Sequence, residues 1–302
     1  MPLVTYYDMF YRGSNELARI YRGDHIIVWE PGGHDYHGDY FTIEALGSGN
    51  IVWGLDTGKT VQYSKNGGGW TTMDANTVIQ VVSGDNVRFK GTNSEYGSET
   101  IASSARFNVK GNIMSLTDGD SFETATTVAG SAFSSLFKDC TLLQSAENLI
   151  LPATTLANCS YCSMFQGCTS LTKGPQLPAT DLEEFCYGGM FFGCTSLTTA
   201  PQLPATTLED YCYQFMFAGC TSLTTAPELP APIMKQSCYA SMFEGCSALQ
   251  EVRCYAMLAE TNCFRNWLYG VSATGTFYKV EGIPYPSGGS GIPSGWTVVE
   301  LD

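Results

Sequence analysis

Apolar positions return at one fixed interval through the second half of this chain. Met and Phe occur together at Met164-Phe165, Met190-Phe191, Met216-Phe217 and Met242-Phe243, and a cysteine stands three residues after each Phe, at Cys168, Cys194, Cys220 and Cys246. The interval is 26 residues, within the range of stacked repeat arrays. Between the cysteines the remaining apolar positions also recur: Leu171, Leu177, Leu182 and Cys186, then Leu197, Leu203, Leu208 and Cys212, then Leu223, Leu229 and Cys238. An irregular earlier copy runs from Phe137 and Cys140 through Leu151 and Leu156, with 28 residues between Cys140 and Cys168. End repeats depart from the pattern because they cap a stack. Burying one Leu or Phe contributes roughly 1.5–3 kcal/mol, too little for a lone 26-residue unit to fold, so the units must stack.

Within a unit, Leu197 to Pro204 is rich in Thr and Pro and too short for a helix, which predicts a short strand and a proline turn. Apolar residues at Leu208, Cys212, Met216 and Phe217 suit one or two turns of helix facing the core. Upstream the period changes to two. Asp39–Ala45, Asn50–Trp53, Thr60–Ser64, Thr77–Val82, Val87–Lys90 and Ala105–Val109 read as six short strands, with a hairpin turn at Asn66–Gly69. Such a series predicts an immunoglobulin-like β-sandwich.

The phrase Phe-x-Gly-Cys-Thr-Ser-Leu with its downstream Leu-Pro resembles the BspA-like leucine-rich repeats of bacterial surface proteins, over about residues 131–282. Asn266 to Val271, followed by Thr274 to Phe277, is similar to the way such arrays finish. The resemblance implies a leucine-rich-repeat solenoid serving as an extracellular binding or adhesion scaffold, with no catalytic residue. Gly13 to Asp24, followed by Val28-Trp29, resembles an N-terminal segment of phage structural proteins. That second resemblance implies virion attachment through Ile20, Tyr21, Gly23, Asp24, Val28 and Trp29, with other virion structural proteins as partners. Met1 to Asp8 shows neither the basic start nor the apolar run of a secretory signal. The expected location is therefore the virion, with a bacterial cell-surface adhesin as the alternative.

The expected architecture is mixed α+β. An attachment segment (1–33) precedes an immunoglobulin-like β-sandwich (34–115), BspA-like repeats of strand, proline turn and short helix (116–282), and a linker with a C-terminal capping strand (283–302).

Charge narrows the partners. Asp and Glu outnumber Lys and Arg 29 to 15, and a net charge of −14 repels phosphate backbones. No run of about 18 apolar residues is present to span a membrane. Most of the twelve cysteines sit at repeat positions, as a ladder of reduced thiols would, with Cys159/Cys162 and Cys254/Cys263 the exceptions where a disulfide is easiest to draw. Cys159-x-x-Cys162 has no second pair at zinc-finger spacing.

Other motifs have simpler readings. Gly54 to Thr60 is one residue short of a P-loop and lies between strands. His34, Asp35, His37 and Asp39 have metal-ligand chemistry but sit in a glycine-rich polar stretch, and Asp118-Gly119-Asp120 lacks the further oxygen ligands of a calcium loop. Arg22-Gly23-Asp24 falls inside the attachment segment. All three histidines precede residue 38, so no Cys-His or Ser-His-Asp arrangement reaches the repeats. The chain is read as a non-enzyme without a cofactor. Its candidate ligand-binding residues are the non-ladder positions of the strand face: Lys173, Gln176, Thr199, Gln202, Thr225 and Glu228. Thr and Gln there suit a host-surface glycan or a polar protein surface, with self-association left open.

Overall fold

The computed structural model describes residues 38–301 apart from Thr57, Asn76 and Ser98, and the backbone of two short strands before them. Those two, β1 (Ile20–Arg22) and β2 (His25–Ile27), pair antiparallel, Ile20 opposite Ile27. Of the expected attachment residues, Ile20 and Tyr21 lie in β1. Gly23, Asp24, Val28 and Trp29 are outside the described residues, as are His34, Asp35 and His37.

The β-rich part contains β3 (Thr42–Ala45), β4 (Gly49–Trp53), β5 (Val61–Lys65), β6 (Thr71–Thr72), β7 (Val78–Val81), β8 (Asn86–Gly91), β9 (Ile101–Ser103) and β10 (Phe107–Asn112). Alternation along β8 sends Val87, Phe89 and Gly91 inward, as a half-buried strand requires. Trp53, Phe41 and Phe89 meet at centroid separations of 5.7 and 5.8 Å to fill the space between sheets. A short helix α1 (Ser115–Asp118) and a 3-10 segment (Gly119–Thr124) follow, then β11 (Leu143–Ile150). The larger sheet has the order β11-β10-β3-β8-β5-β6, and the smaller β7-β4-β9.

This order corrects the immunoglobulin-like expectation. In that fold the first strand belongs to the sheet opposite the sixth. Here β3 lies inside the larger sheet, antiparallel to both β10 and β8. Moreover, β10 pairs parallel with β11, so the sheet continues into the first repeat across the boundary expected near residue 115. One hydrophobic core runs unbroken from Phe41 to Trp296.

The leucine-rich-repeat solenoid of strand and helix is overturned as well. No helix occurs in the repeats among the described residues, and α1 spans four residues in all. The segment expected to be helical is instead a run of consecutive turns, in which every fourth residue is left-handed. Tyr211, Phe215 and Gly219 have φ of 58°, 57° and 76°, and Phe185, Gly189 and Gly193 repeat the pattern one unit earlier. A non-glycine residue there costs about 1–2 kcal/mol, and the hydrogen bonding shows the compensation. The N–H groups of Tyr213, Phe215, Phe217 and Gly219 donate to the carbonyls of Cys238, Ala240, Met242 and Glu244 in the next unit, at 3.1, 3.0, 2.9 and 2.7 Å. Those of Gln214, Met216, Ala218 and Cys220 donate three residues back, at 3.0 to 3.2 Å. An α-helix would spend every amide on its own i−4 carbonyl. The turn run spends alternate amides on a neighbour and thereby fuses the units.

The expected strand is equally reduced. Around Leu197–Pro204 only isolated parallel bridges form, such as Lys173 with Thr199. Pro175, Pro178, Pro201, Pro204, Pro227 and Pro230 supply no N–H, so a continuous ladder cannot close. Short strands reappear towards the end: β12 (Ile233–Met234), β13 (Glu251–Cys254), β14 (Leu258–Ala259), β15 (Gly275–Val280) and β16 (Trp296–Leu301). Strands β13, β15 and β16 form a parallel sheet over the last unit.

Two columns of aromatic rings run along the stack. Phe137, Phe165, Phe191, Phe217 and Phe243 stack nearly parallel at spacings of 5.3 to 5.7 Å. Beside them Tyr96, Phe133, Tyr161, Tyr187, Tyr213, Tyr239 and Trp267 stack at 5.8 to 6.5 Å, linking the β-rich part to the C-terminal cap. The cysteines form a third column. The Sγ atoms of Cys168, Cys194, Cys220 and Cys246 donate to the carbonyls of Phe137, Phe165, Phe191 and Phe217 at 3.0 to 3.2 Å. Burial raises each of these thiols above its ordinary pKa. The hydroxyls of Tyr161, Tyr187 and Tyr213 are buried without a partner. An unsatisfied buried hydroxyl costs about 1–3 kcal/mol. Tyr213→Phe is therefore expected to raise the unfolding midpoint in a thermal melt, and a lowered midpoint would contradict the unpartnered hydroxyl.

Candidate functional site

Repeating polar columns line one side of the stack. The bridges Ser145–Lys173, Lys173–Thr199 and Thr225–Glu251 keep corresponding residues of successive units in register. Thr172, Thr198 and Thr224 form the adjacent column, continued by Gln250, whose N–H donates to the Thr224 carbonyl at 2.8 Å. The Thr195 and Thr221 hydroxyls donate to the carbonyls of Thr169 and Thr195, each 3.3 Å away. The hydroxyls of Thr195 and Thr221 are thus held by the neighbouring unit.

All six positions expected to bind ligand are exposed. Lys173 is committed to Glu147, with Nζ 2.8 Å from Oε1. Gln176, Thr199, Gln202 and Glu228 lie on the open face of the units and line neither of the two principal pockets. Thr225 is different. With Thr224, Gln250, Glu251, Thr274, Gly275 and Thr276 it lines a groove of about 560 Å³ where the polar columns meet the C-terminal sheet.

The groove lies where the repeat register passes into the C-terminal sheet. The Thr276 N–H donates to the Gln250 carbonyl at 2.8 Å, so β15 continues the register. Gly275 pairs with Trp296, and a side chain there would put Cβ 2.6 Å from the indole ring. The missing side chain lets Trp296 close over the end of the stack. Thr274, just before it, stays exposed at the groove. Glu251 is the groove's acidic group, and its Oε1 accepts a hydrogen bond from Arg253 Nε at 3.0 Å. The Arg253 guanidinium in turn lies 3.9 Å from the Tyr278 ring centroid. Hydroxyl, amide and partly neutralised carboxylate groups can exchange hydrogen bonds with a polyhydroxylated ligand.

Comparison with protein-family models, curated proteins and solved structures yields no match to this chain. The residues must therefore speak for the site.

Other sequence motifs resolve into structural roles. Lys59, in the P-loop-like stretch, pairs with the buried Glu99 at 2.9 Å, and β5 rather than a helix follows. Asp120 accepts hydrogen bonds from Lys90 and the Tyr40 hydroxyl, at 2.8 and 2.6 Å. Its bonds to Lys90 and Tyr40 lower its pKa, and the same bond raises that of Tyr40 to about 12. No cluster of metal-ligating side chains occurs among the described residues.

Sequence reasoning missed the groove because its lining comes from three units, including the irregular last one. It also missed an aromatic flank on the turn runs. Phe185 stacks on Tyr211 at 4.6 Å, and the exposed Phe192 meets Phe215 edge-on at 6.4 Å. Aligning the units in register exposes the signal, since Cys159 and Ser237 occupy the Phe185/Tyr211 column in the flanking units. Those rings use faces on one another, which makes the flank a weaker platform than the groove.

Proposed function

We propose that this chain is a non-enzymatic display protein of a phage particle that binds a host-surface glycan through the groove around Thr225 and Thr274. The groove itself carries the reading: seven residues from successive units place threonine, glutamine and glutamate groups in one open concavity. The polar columns leading into it repeat once per unit, which suits a ligand that is itself a repeating polymer. The sequence resemblance of the N-terminal segment supports attachment to other virion proteins. The Phe-x-Gly-Cys-Thr-Ser-Leu phrase supports an adhesive role and equally suits a bacterial surface adhesin.

The test is glycan-array binding by the full chain, followed by titration of the best glycan against Thr225→Val/Thr274→Val and Gln202→Ala. Removing the two hydroxyls is expected to weaken binding at least tenfold, about 1.4 kcal/mol, while Gln202→Ala leaves it within twofold. Equal binding by the groove variant, or no glycan bound at all, would sink the proposal.

A further inference from the structure

Two cysteines stand outside the buried column. In the repeat register, the position of Cys186, Cys212 and Cys238 is taken one unit earlier by Ser160, and cysteines stand one residue before it, at 159, and two residues after it, at 162. Their counterparts are Phe185, Tyr211 and Ser237 for the first, and Gly188, Gln214 and Ala240 for the second. Of these counterparts Phe185, Tyr211 and Gln214 are partly exposed, while Gly188, Ser237 and Ala240 are buried. All twelve cysteines are free, and only Cys159 and Cys162 are partly exposed; the other ten are buried.

The local backbone holds the two thiols together. Cys159 is left-handed, with φ 58°, and the Cys162 N–H closes a turn on the Cys159 carbonyl at 3.1 Å. The ends of such a turn have Cα atoms less than about 7 Å apart, and a disulfide needs about 4.4–6.8 Å. The two thiols are close enough to perturb each other's ionisation in opposite directions.

We propose that Cys159 and Cys162 form a solvent-reachable dithiol that closes to an intramolecular disulfide by exchange with small-molecule disulfides. The Cys162 thiolate attacks one sulfur of the small disulfide; an S–S bond forms to Cys162 and one thiolate leaves. Cys159 then loses its proton and attacks the Cys162 sulfur, releasing the second thiolate. Two protein thiols are oxidised and the small disulfide is reduced to two thiols. Cys162 is the attacking group because the Cys159 hydrogen bond stabilises its thiolate. That bond, aided by Ser163 and opposed by burial, lowers the Cys162 pKa to about 7 and raises that of Cys159. Cys238 and Cys263 also perturb each other's ionisation, but both are buried and out of reach of the oxidant.

The test uses the folded full chain and the aromatic disulfide reagent DTNB, with intact-mass and peptide mapping. The native protein is expected to release two chromophoric thiolates per chain, lose two hydrogens and keep no adduct. Cys159→Ala, which removes the donor as well as the thiol, should release one and retain a mixed disulfide at Cys162, with the rate profile moved up in pH from a midpoint near 7. Cys162→Ser, read in parallel, should react more slowly at neutral pH. Circular dichroism confirms that each variant is folded. A stable adduct on both native cysteines, reaction first at any other cysteine, or an unmoved pH profile in Cys159→Ala would overturn the proposal.

Discussion

Phe217→Ala is expected to destabilise the protein by about 3–5 kcal/mol and to break the cooperativity of its unfolding. The Phe217 side chain is fully buried, and its ring stacks between Phe191 and Phe243 at 5.6 and 5.7 Å with interplanar angles of 1° and 4°. Truncation removes contacts to both neighbours and leaves a cavity that the hydrogen-bonded turn runs on either side cannot collapse. In a stacked array each unit is stabilised largely by its interfaces. A mid-stack defect should therefore split urea denaturation into two phases, with the C-terminal units melting first. Phe215, two residues away with its ring at the surface, is the control. Its replacement by Ala should cost well under half as much. A single unshifted transition for Phe217→Ala would show that the ring column does not hold the units together.

Gly111→Ala should be the other severe substitution. Gly111 has φ of 81°, and a Cβ there would lie 2.2 Å from the Tyr40 carbonyl oxygen. Left-handed strain of about 1–2 kcal/mol adds to an overlap of about 1–3 kcal/mol. The position matters because Gly111 lies in β10 opposite Leu149 of β11, the parallel pair through which the larger sheet enters the repeats. Loss of that pairing should appear as a lowered thermal midpoint and as faster amide exchange along both β10 and β11. Gly54→Ala, where nothing lies within 4 Å and φ is not left-handed, should leave the midpoint nearly unchanged. Similar behaviour of the two alanine variants would remove Gly111 as the constrained junction.

What could be read without coordinates follows from side-chain chemistry. The ladder members Leu197, Cys220 and Phe217 are buried, and Lys173, Thr199 and Gln202 are exposed, as their periodic positions imply. The helix expected from Leu208 to Phe217 was not available to that reasoning. Spacing of apolar residues at four describes a helix, and it describes equally a series of four-residue turns that brings Cys212, Met216 and Cys220 to the same inward side. The glycine of the Met-Phe-x-Gly-Cys phrase was the local clue, since Gly167, Gly193, Gly219 and Gly245 are all left-handed. Tyr211 and Phe215 adopt the same conformation with full side chains, which no propensity foretells. Of the candidate site only Thr225 was named in advance. Gln250, Glu251, Thr274 and Thr276 come from units whose letters depart from the consensus, and their meeting depends on how Trp296 closes over Gly275.

By itself, then, the sequence determined the 26-residue period, the division into buried rungs and exposed positions, and the acidic charge that disfavours nucleic acid. Those properties depend on each residue's own hydrophobicity or charge, so they survive without knowledge of any partner. Only the tertiary structure decided the backbone of the repeats, the placement of β3 between β8 and β10, and the groove beside the last strand. Each of these depends on hydrogen bonds between distant residues, such as Tyr213 N–H to the Cys238 carbonyl. A partner 25 residues away outweighs the local preference for helix, because it satisfies alternate amides while stacking the rings that bury the core.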